Sequence, residues 1–300
     1  MNSDSIKLLD ADTLARADKL GMAARFIVEG YMAGEHKSPY RGFAIEFSQH
    51  REYSPGDDVR HLDWKVLGKT DRYYIKQYEQ ETNFIAHILV DGSESMQYGS
   101  GETSKFDYAK VAAACLAFLI IKQRDAVSLS LFDDSIREEL PRGNTKNHLF
   151  NVLEKLVQFN PKGATNLPGQ LHSIANKSQR KGLVIVISDF FDDEEAVLES
   201  VQHLRFVGHE VIGLQILDHD EIVFPFNGLV EFEGLENIEN IKTRPAEIRK
   251  SYMKEFSEFQ KKLKDGFSRN SSHFIECDTS KPLNDALGAY LTFRRETASK

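Results

Sequence analysis

The chain has 300 residues, 41% hydrophobic and 28% charged, an ordinary globular composition with material for one large domain or two modest ones. Its 38 basic and 46 acidic residues give a net charge of −8 with no basic stripe, which argues against a nucleic-acid partner. Only Cys115 and Cys277 occur as cysteines, and the N-terminus lacks a basic region followed by an apolar core; neither a disulfide framework nor a signal peptide is expected, and the chain reads as cytoplasmic.

The first 80 residues begin with a helical pattern, Ala11–Val28, followed by strand-like alternation at Phe43–Tyr53 and Tyr73–Glu79. Between the two strands lies a turn-rich centre, Tyr53-Ser-Pro-Gly-Asp-Asp-Val-Arg60, in which Pro55 presets φ and Gly56 accepts a positive φ. An aspartate there is placed to cap a following helix. Arg51, Asp57, Asp58, Arg60 and Asp63 are expected to form an ion network around Trp64, a structural role in preference to partner contact. Residues 1–80 thus read as a small β-rich extension, and 81–300 as the main domain.

From Phe84 onward, apolar strands alternate with helices. Phe84–Val90 is a short continuous apolar run that suits a buried strand. A helix over Ser104–Arg124 is apolar on most faces and therefore buried, with Cys115 inside it as a free thiol. Its apolar core, Val111–Ile121, is too short to span a bilayer. Ala126–Phe132 and Ile136–Leu140 flank Asp133-Asp134-Ser135 as a hairpin. A helix at Lys146–Phe159, a loop at Asn160–Asn166 and a second helix to about Ser178 lead into the apolar strand Gly182–Ser188. Asp192–Glu195 is an acidic helix start that complements the helix dipole, and Glu210–Leu217 is the next strand.

The alternation then breaks into a loop-and-hairpin excursion over Asp218–Lys242. A helix over Pro245–Lys264 follows, with Ile248, Tyr252, Phe256, Phe259 and Leu263 on one stripe. A last strand, His273–Cys277, and a helix, Lys281–Phe293, complete the pattern. The expected fold is α/β: a Rossmann-like, doubly wound, mainly parallel sheet covered on both faces, with the hairpin as one antiparallel edge.

The first strand runs into Asp91-Gly92-Ser93-Glu94-Ser95, one carboxylate and two hydroxyls in a single loop. These are hard oxygen ligands of the kind Mg²⁺ or Mn²⁺ accepts. Alone, such a stretch reads first as a turn whose side chains bond their own backbone. In a doubly wound sheet, however, ligands bind beyond the carboxyl ends of the strands. That places Thr165, in the loop before a helix, and Asp189, directly after the strand ending at Ser188, as further candidates.

In order and context, Asp91-x-Ser93-x-Ser95, Thr165 and Asp189 resemble the metal-ion-dependent adhesion site of von Willebrand factor type A (VWA) domains, over roughly residues 82–295. One departure is Ala164, where that family commonly has Gly before the Thr. The N-terminal stretch Gly42-Phe-Ala-Ile-Glu46-Phe47, then Arg51-x-Tyr53-x-x-Gly56-Asp57-Asp58-x-Arg60-x-x-Asp63-Trp64, resembles the signature of the bacterial domain-of-unknown-function family fifty-eight, which couples such a segment to a type A domain. The resemblance implies Mg²⁺ (or Mn²⁺) at the five oxygen-bearing residues, an acidic side chain donated to the metal by a partner protein, and association with AAA+ ATPases of the MoxR type.

A hydrolase would need a nucleophile or a placed base beside the metal. No Gly-x-x-x-x-Gly-Lys-Ser/Thr occurs, Asp91-Gly92-Ser93 lacks the second aspartate of an aspartyl-phosphate phosphatase, and no histidine falls in the three site loops; His87 lies in the preceding strand. The expectation is therefore a non-enzymatic interaction adaptor. A metal-independent scaffold with a vestigial site is the alternative, and a metal-dependent hydrolase ranks behind both.

Overall fold

Long apolar runs with no polar alternation can only be buried on both faces, and here they form the centre of a sheet wrapped by helices. The computed structural model describes residues 11–35, 50–52, 73–76, 85–177, 181–235 and 240–298. In chain order the elements begin with α1 (Ala11–Glu35), β1 (His50–Glu52), β2 (Tyr74–Lys76), β3 (Ile85–Asp91), α2 (Lys105–Lys122), β4 (Ala126–Phe132) and β5 (Ile136–Gly143). They continue with α3 (Lys146–Gln158), α4 (Leu167–Lys177), β6 (Leu183–Ser188), α5 (Glu194–Phe206) and β7 (Glu210–Leu217). Last come α6 (His219–Val223), β8 (Val230–Phe232), β9 (Ile241–Thr243), α7 (Pro245–Arg269), β10 (His273–Asp278) and α8 (Asn284–Ala298).

The six-stranded sheet has the order β10-β7-β6-β3-β4-β5, parallel throughout except for β5, which runs antiparallel to β4 at the edge. This is the expected α/β architecture, antiparallel edge included. Beyond the expected end at Leu140, β5 extends through Pro141, a residue without a backbone donor that an edge strand accommodates.

Strand alternation sorts the core into two layers. Leu183, Ile185 and Ile187 of β6 join Ala86, Ile88 and Val90 of β3 under α2, α3 and α8. Val184 and Val186 face the other way with Leu89, against α4, α5 and α7. Both faces of the central strands are thus buried, which is why their sequences read as unbroken apolar runs. Ala-rich α2 lies close to the sheet because its stripe carries small side chains, and a capping box between Ser104 and Asp107 fixes its start.

The chain divides into two compact units, Met1–Gly34 with Phe84–Lys300, and Glu35–Asn83. Within the larger unit α1 packs on the main core: Ala17, Ala24 and Val28 belong to it, and the Cys115 thiol lies 3.8 Å from the Ala24 carbonyl. Within the smaller unit, β1 pairs antiparallel with β2. Among the described residues no helix is long and apolar enough to cross a membrane. Cys115 and Cys277 are free and buried, and burial first of all pushes both thiols up to about 12.

Candidate metal centre

After β3 the chain steps outward to β4 and β5; it then returns to the other flank of β3 as β6 and continues to β7 and β10. The crevice between the ends of β3 and β6 is therefore a topological switch point, where loops diverge to opposite sides and leave room for a ligand. Asp91 closes β3, and Asp189 follows β6 directly. The two strands pair in parallel up to Val90 opposite Ile187, so the two aspartates emerge side by side.

Asp91 is held from several directions. Its Oδ1 accepts the Ser93 backbone N–H at 2.9 Å. Its Oδ2 accepts the Thr165 hydroxyl at 3.1 Å and the Ser188 hydroxyl at 2.6 Å. The Ser93 and Ser95 hydroxyls stand 3.1 Å apart. Asp91, Ser93, Ser188 and Asp189 are fully buried, whereas Ser95 and Thr165 are half-buried. Burial pushes the Asp91 carboxyl up to about 7, the nearby charge of Asp189 adds to the rise, and the hydrogen bonds from Ser188 and Ser93 oppose it.

The structure thus brings Asp91, Ser93, Ser95 and Thr165 into one hydrogen-bonded cluster, with Asp189 close enough to act on Asp91 electrostatically. The loop carrying Thr165 is fastened to the Asp91 loop by two peptide hydrogen bonds, Glu94 N–H to Gly163 O at 2.8 Å and Lys162 N–H to Gly92 O at 2.9 Å. Gly163 supplies the positive φ, 72°, that this turn demands. Gly92 is needed for a different reason: a Cβ there would overlap the ring of Phe159.

Asp189 is held by other groups. Its Oδ2 accepts the Lys105 ammonium at 2.8 Å, and its Oδ1 accepts the Phe191 N–H at 3.2 Å. Lys105 opens α2, is 1% exposed, and donates a second bond of 2.8 Å to Glu221 Oε1. Burial alone would lower the lysine; the Asp189 and Glu221 charges outweigh it and hold the ammonium firmly protonated. The Glu221 carboxyl is raised, chiefly by burial and against the pull of Lys105. The residue after Asp189, Phe190, adopts a left-handed backbone with φ 61°, its ring edge-on to Phe267 and Phe274.

Three of these groups, Ser188, Lys105 and Glu221, were absent from the sequence reading. Lys105 carried a signal, because it shares the buried helical stripe of Ala109, Ala112 and Leu116, where a lone lysine has to find a partner. Glu221 carried another in Asp218-x-x-Glu221, the capping-box spacing, which the structure realises at α6. Nothing distinguished Ser188 from other strand-end serines. The Asp192–Glu195 segment behaves as expected of helix-terminal acids: Asp193 caps α5 and Asp192 Oδ2 accepts the Leu167 N–H that opens α4. Of the N-terminal motif, Arg51 falls in β1 opposite Ile75; Tyr53, Gly56, Asp57, Asp58, Arg60, Asp63 and Trp64 lie outside the described residues.

The donor chemistry fits a hard divalent cation. Two carboxylates stand at one crevice, the charge of Asp189 raising the cost of ionising Asp91, and the Ser93, Thr165 and Ser188 hydroxyls surround Asp91. Among the described residues no cluster of three or more His, Cys, Asp or Glu offers a softer or more highly charged site.

Fold and site together define a doubly wound α/β domain with an oxygen-rich crevice at its switch point. The chain belongs to the family described as Protein of unknown function DUF58, whose profile matches residues 49–262. It is similar to the uncharacterized protein Rv1480 of Mycobacterium tuberculosis, 25% identical over 236 residues, which covers 76% of this chain and 73% of that protein. Among solved structures it is similar to the conserved hypothetical protein BatB from Bacteroides thetaiotaomicron, with 17% identity and a TM-score of 0.49 over 71% of this chain and 99% of that one. The SpRpn10 VWA domain overlaps 68% of this chain and 93% of its own length at 11% identity and a TM-score of 0.40.

Proposed function

We propose that the chain is a non-enzymatic interaction adaptor that docks on an acidic side chain of a partner protein through Mg²⁺ (or Mn²⁺) held by Asp91, Ser93, Ser95, Thr165 and Asp189. The observation that carries this reading is the disposition of the donors. The buried carboxylates are already engaged by neighbours, while the half-buried Ser95 and Thr165 hydroxyls lie nearer solvent. A bound divalent ion would supply an electrophilic centre for an incoming carboxylate. Neutral hydroxyls orient such an ion without cancelling its charge, and Lys105 keeps Asp189 turned toward the crevice wall.

A catalytic role has little support from the neighbourhood. The Lys105 ammonium beside Asp189 is committed to two carboxylates, and the site loops contain no histidine to act as a base. The family resemblance points to a MoxR-type AAA+ ATPase as partner, and two buried free thiols suit the reducing cytoplasm. The purified chain should retain its MoxR-type partner in Mg²⁺ and release it in EDTA. Equal recovery in both, or undiminished recovery with Asp91→Ala, would refute the metal-bridged reading. A metal-independent scaffold is the second reading, favoured by the cation that Lys105 already places against Asp189.

A further inference from the structure

Beyond holding Asp189 in place, the buried lysine has no part in the docking described above, yet its charge is almost wholly enclosed. Lys105 is 1% exposed, and its ammonium lies 2.8 Å from both Asp189 Oδ2 and Glu221 Oε1. The Phe191 ring covers it, 5.0 Å from centroid to nitrogen. Glu221 in turn belongs to α6, where it accepts the Asp218 N–H at 2.8 Å, and its own carbonyl accepts the Tyr252 hydroxyl of α7 at 2.8 Å. The ammonium is therefore shared between a residue of the candidate centre and a residue of the excursion that follows β7.

We propose that Lys105 is the internal counter-ion of the centre, a positioning residue that sets how tightly a divalent cation is held, with Glu221 metering how much of its charge Asp189 receives. The proposal rests on the metal-binding reading given above. Its basis is a charge balance in a place where water cannot screen. The Lys105 ammonium is shared by Asp189 and Glu221, and Asp91 lies within electrostatic reach of Asp189, so the fully ionised set of three carboxylates and one ammonium carries two negative charges in excess, the complement of one divalent cation. Removing Lys105 leaves Asp189 and Glu221 without their counter-ion and raises the excess to three negative charges. Neutralising Glu221 leaves the whole ammonium to Asp189 and one excess negative charge. Buried charges that lose their partner are costly, so each change must appear in the affinity for the ion, with opposite sign.

The test is Mn²⁺ binding to the full chain, followed by electron paramagnetic resonance of the free ion. Lys105→Met should bind Mn²⁺ at least tenfold more tightly than the natural sequence, although its ion-free form melts at a lower temperature. Glu221→Gln should bind at least tenfold more weakly. The double variant, which restores the charge balance, should return to within about threefold of the starting affinity. A merely structural lysine would weaken binding in both single variants, and an inert one would shift neither; either result overturns the proposal while leaving the centre intact. If Lys105→Met does not fold, an unchanged affinity in Glu221→Gln overturns it equally. If the natural sequence binds no Mn²⁺ at all, the centre itself falls, and that failure is distinct from the others.

Discussion

At the scale of single residues, the geometry of the candidate centre depends on residues outside the five oxygen donors. Gly92 is one, because the ring of Phe159, which packs on Phe106 and under the Arg137 guanidinium, fills the volume a Cβ would need. Gly92→Ala should cost about 1–3 kcal/mol by overpacking, measured by urea denaturation, and Phe159→Leu in the same chain should recover part of the loss. The positions of Asp91, Ser93, Ser95, Thr165 and Asp189 at strand ends and a helix start were legible from the α/β pattern, and the resemblance to type A domains joined them into one candidate set. Ser188 was not, because its role arises only from parallel pairing of β6 beside β3, which lays its hydroxyl on Asp91. Lys105 could be read as an anomaly on an apolar stripe, but its partners come from 84 and 116 positions away, and no local pattern names them.

At the scale of elements, the strands and the long helices follow from period and caps, and the deviations have identifiable causes. The excursion after β7 contains the short α6, too brief for any periodicity to reveal, held by the Asp218 and Glu221 caps. The packing of α1 against the main core was equally hidden. Its buried face is made of Ala17, Ala24 and Val28, small residues that leave little amphipathic contrast. Ala24→Leu should therefore destabilise the fold by about 1–3 kcal/mol, since the Cys115 thiol lies against that turn of helix. Met22→Ala on the outer face, 67% exposed, should change stability by less than about 0.5 kcal/mol in the same denaturation assay.

At the scale of the whole molecule, two linkage effects follow. A divalent ion present at a hundredfold excess over its Kd should raise stability by about 2.7 kcal/mol, several degrees in Tm, and EDTA should reverse it. The second concerns acid. His87 is held down to about 4 by burial first, then by His209 and Arg142, and its Nδ1 pairs with Ser128 at 2.8 Å. Its folded value lies below the ordinary 6.5, so the unfolded chain takes up the proton first as pH falls. Its contribution is complete above about pH 6.5 and is lost on acidification toward pH 4, on the order of 3 kcal/mol in all. His87→Gln should flatten the stability profile across that window; an unchanged slope would show that the imidazole is not its source.

Phe190 adopts a backbone conformation that costs a non-glycine residue about 1–2 kcal/mol, and the burial of its ring between Phe267 and Phe274 is what maintains it. The peptide that aims Asp189 is therefore locked by grease from the far layer of the sheet. A genetic screen for weakened ion binding would accordingly return truncations of Phe267 and Phe274, residues with no polar atom to offer, and these would masquerade as long-range communication when they only loosen the hinge pin of one carboxylate.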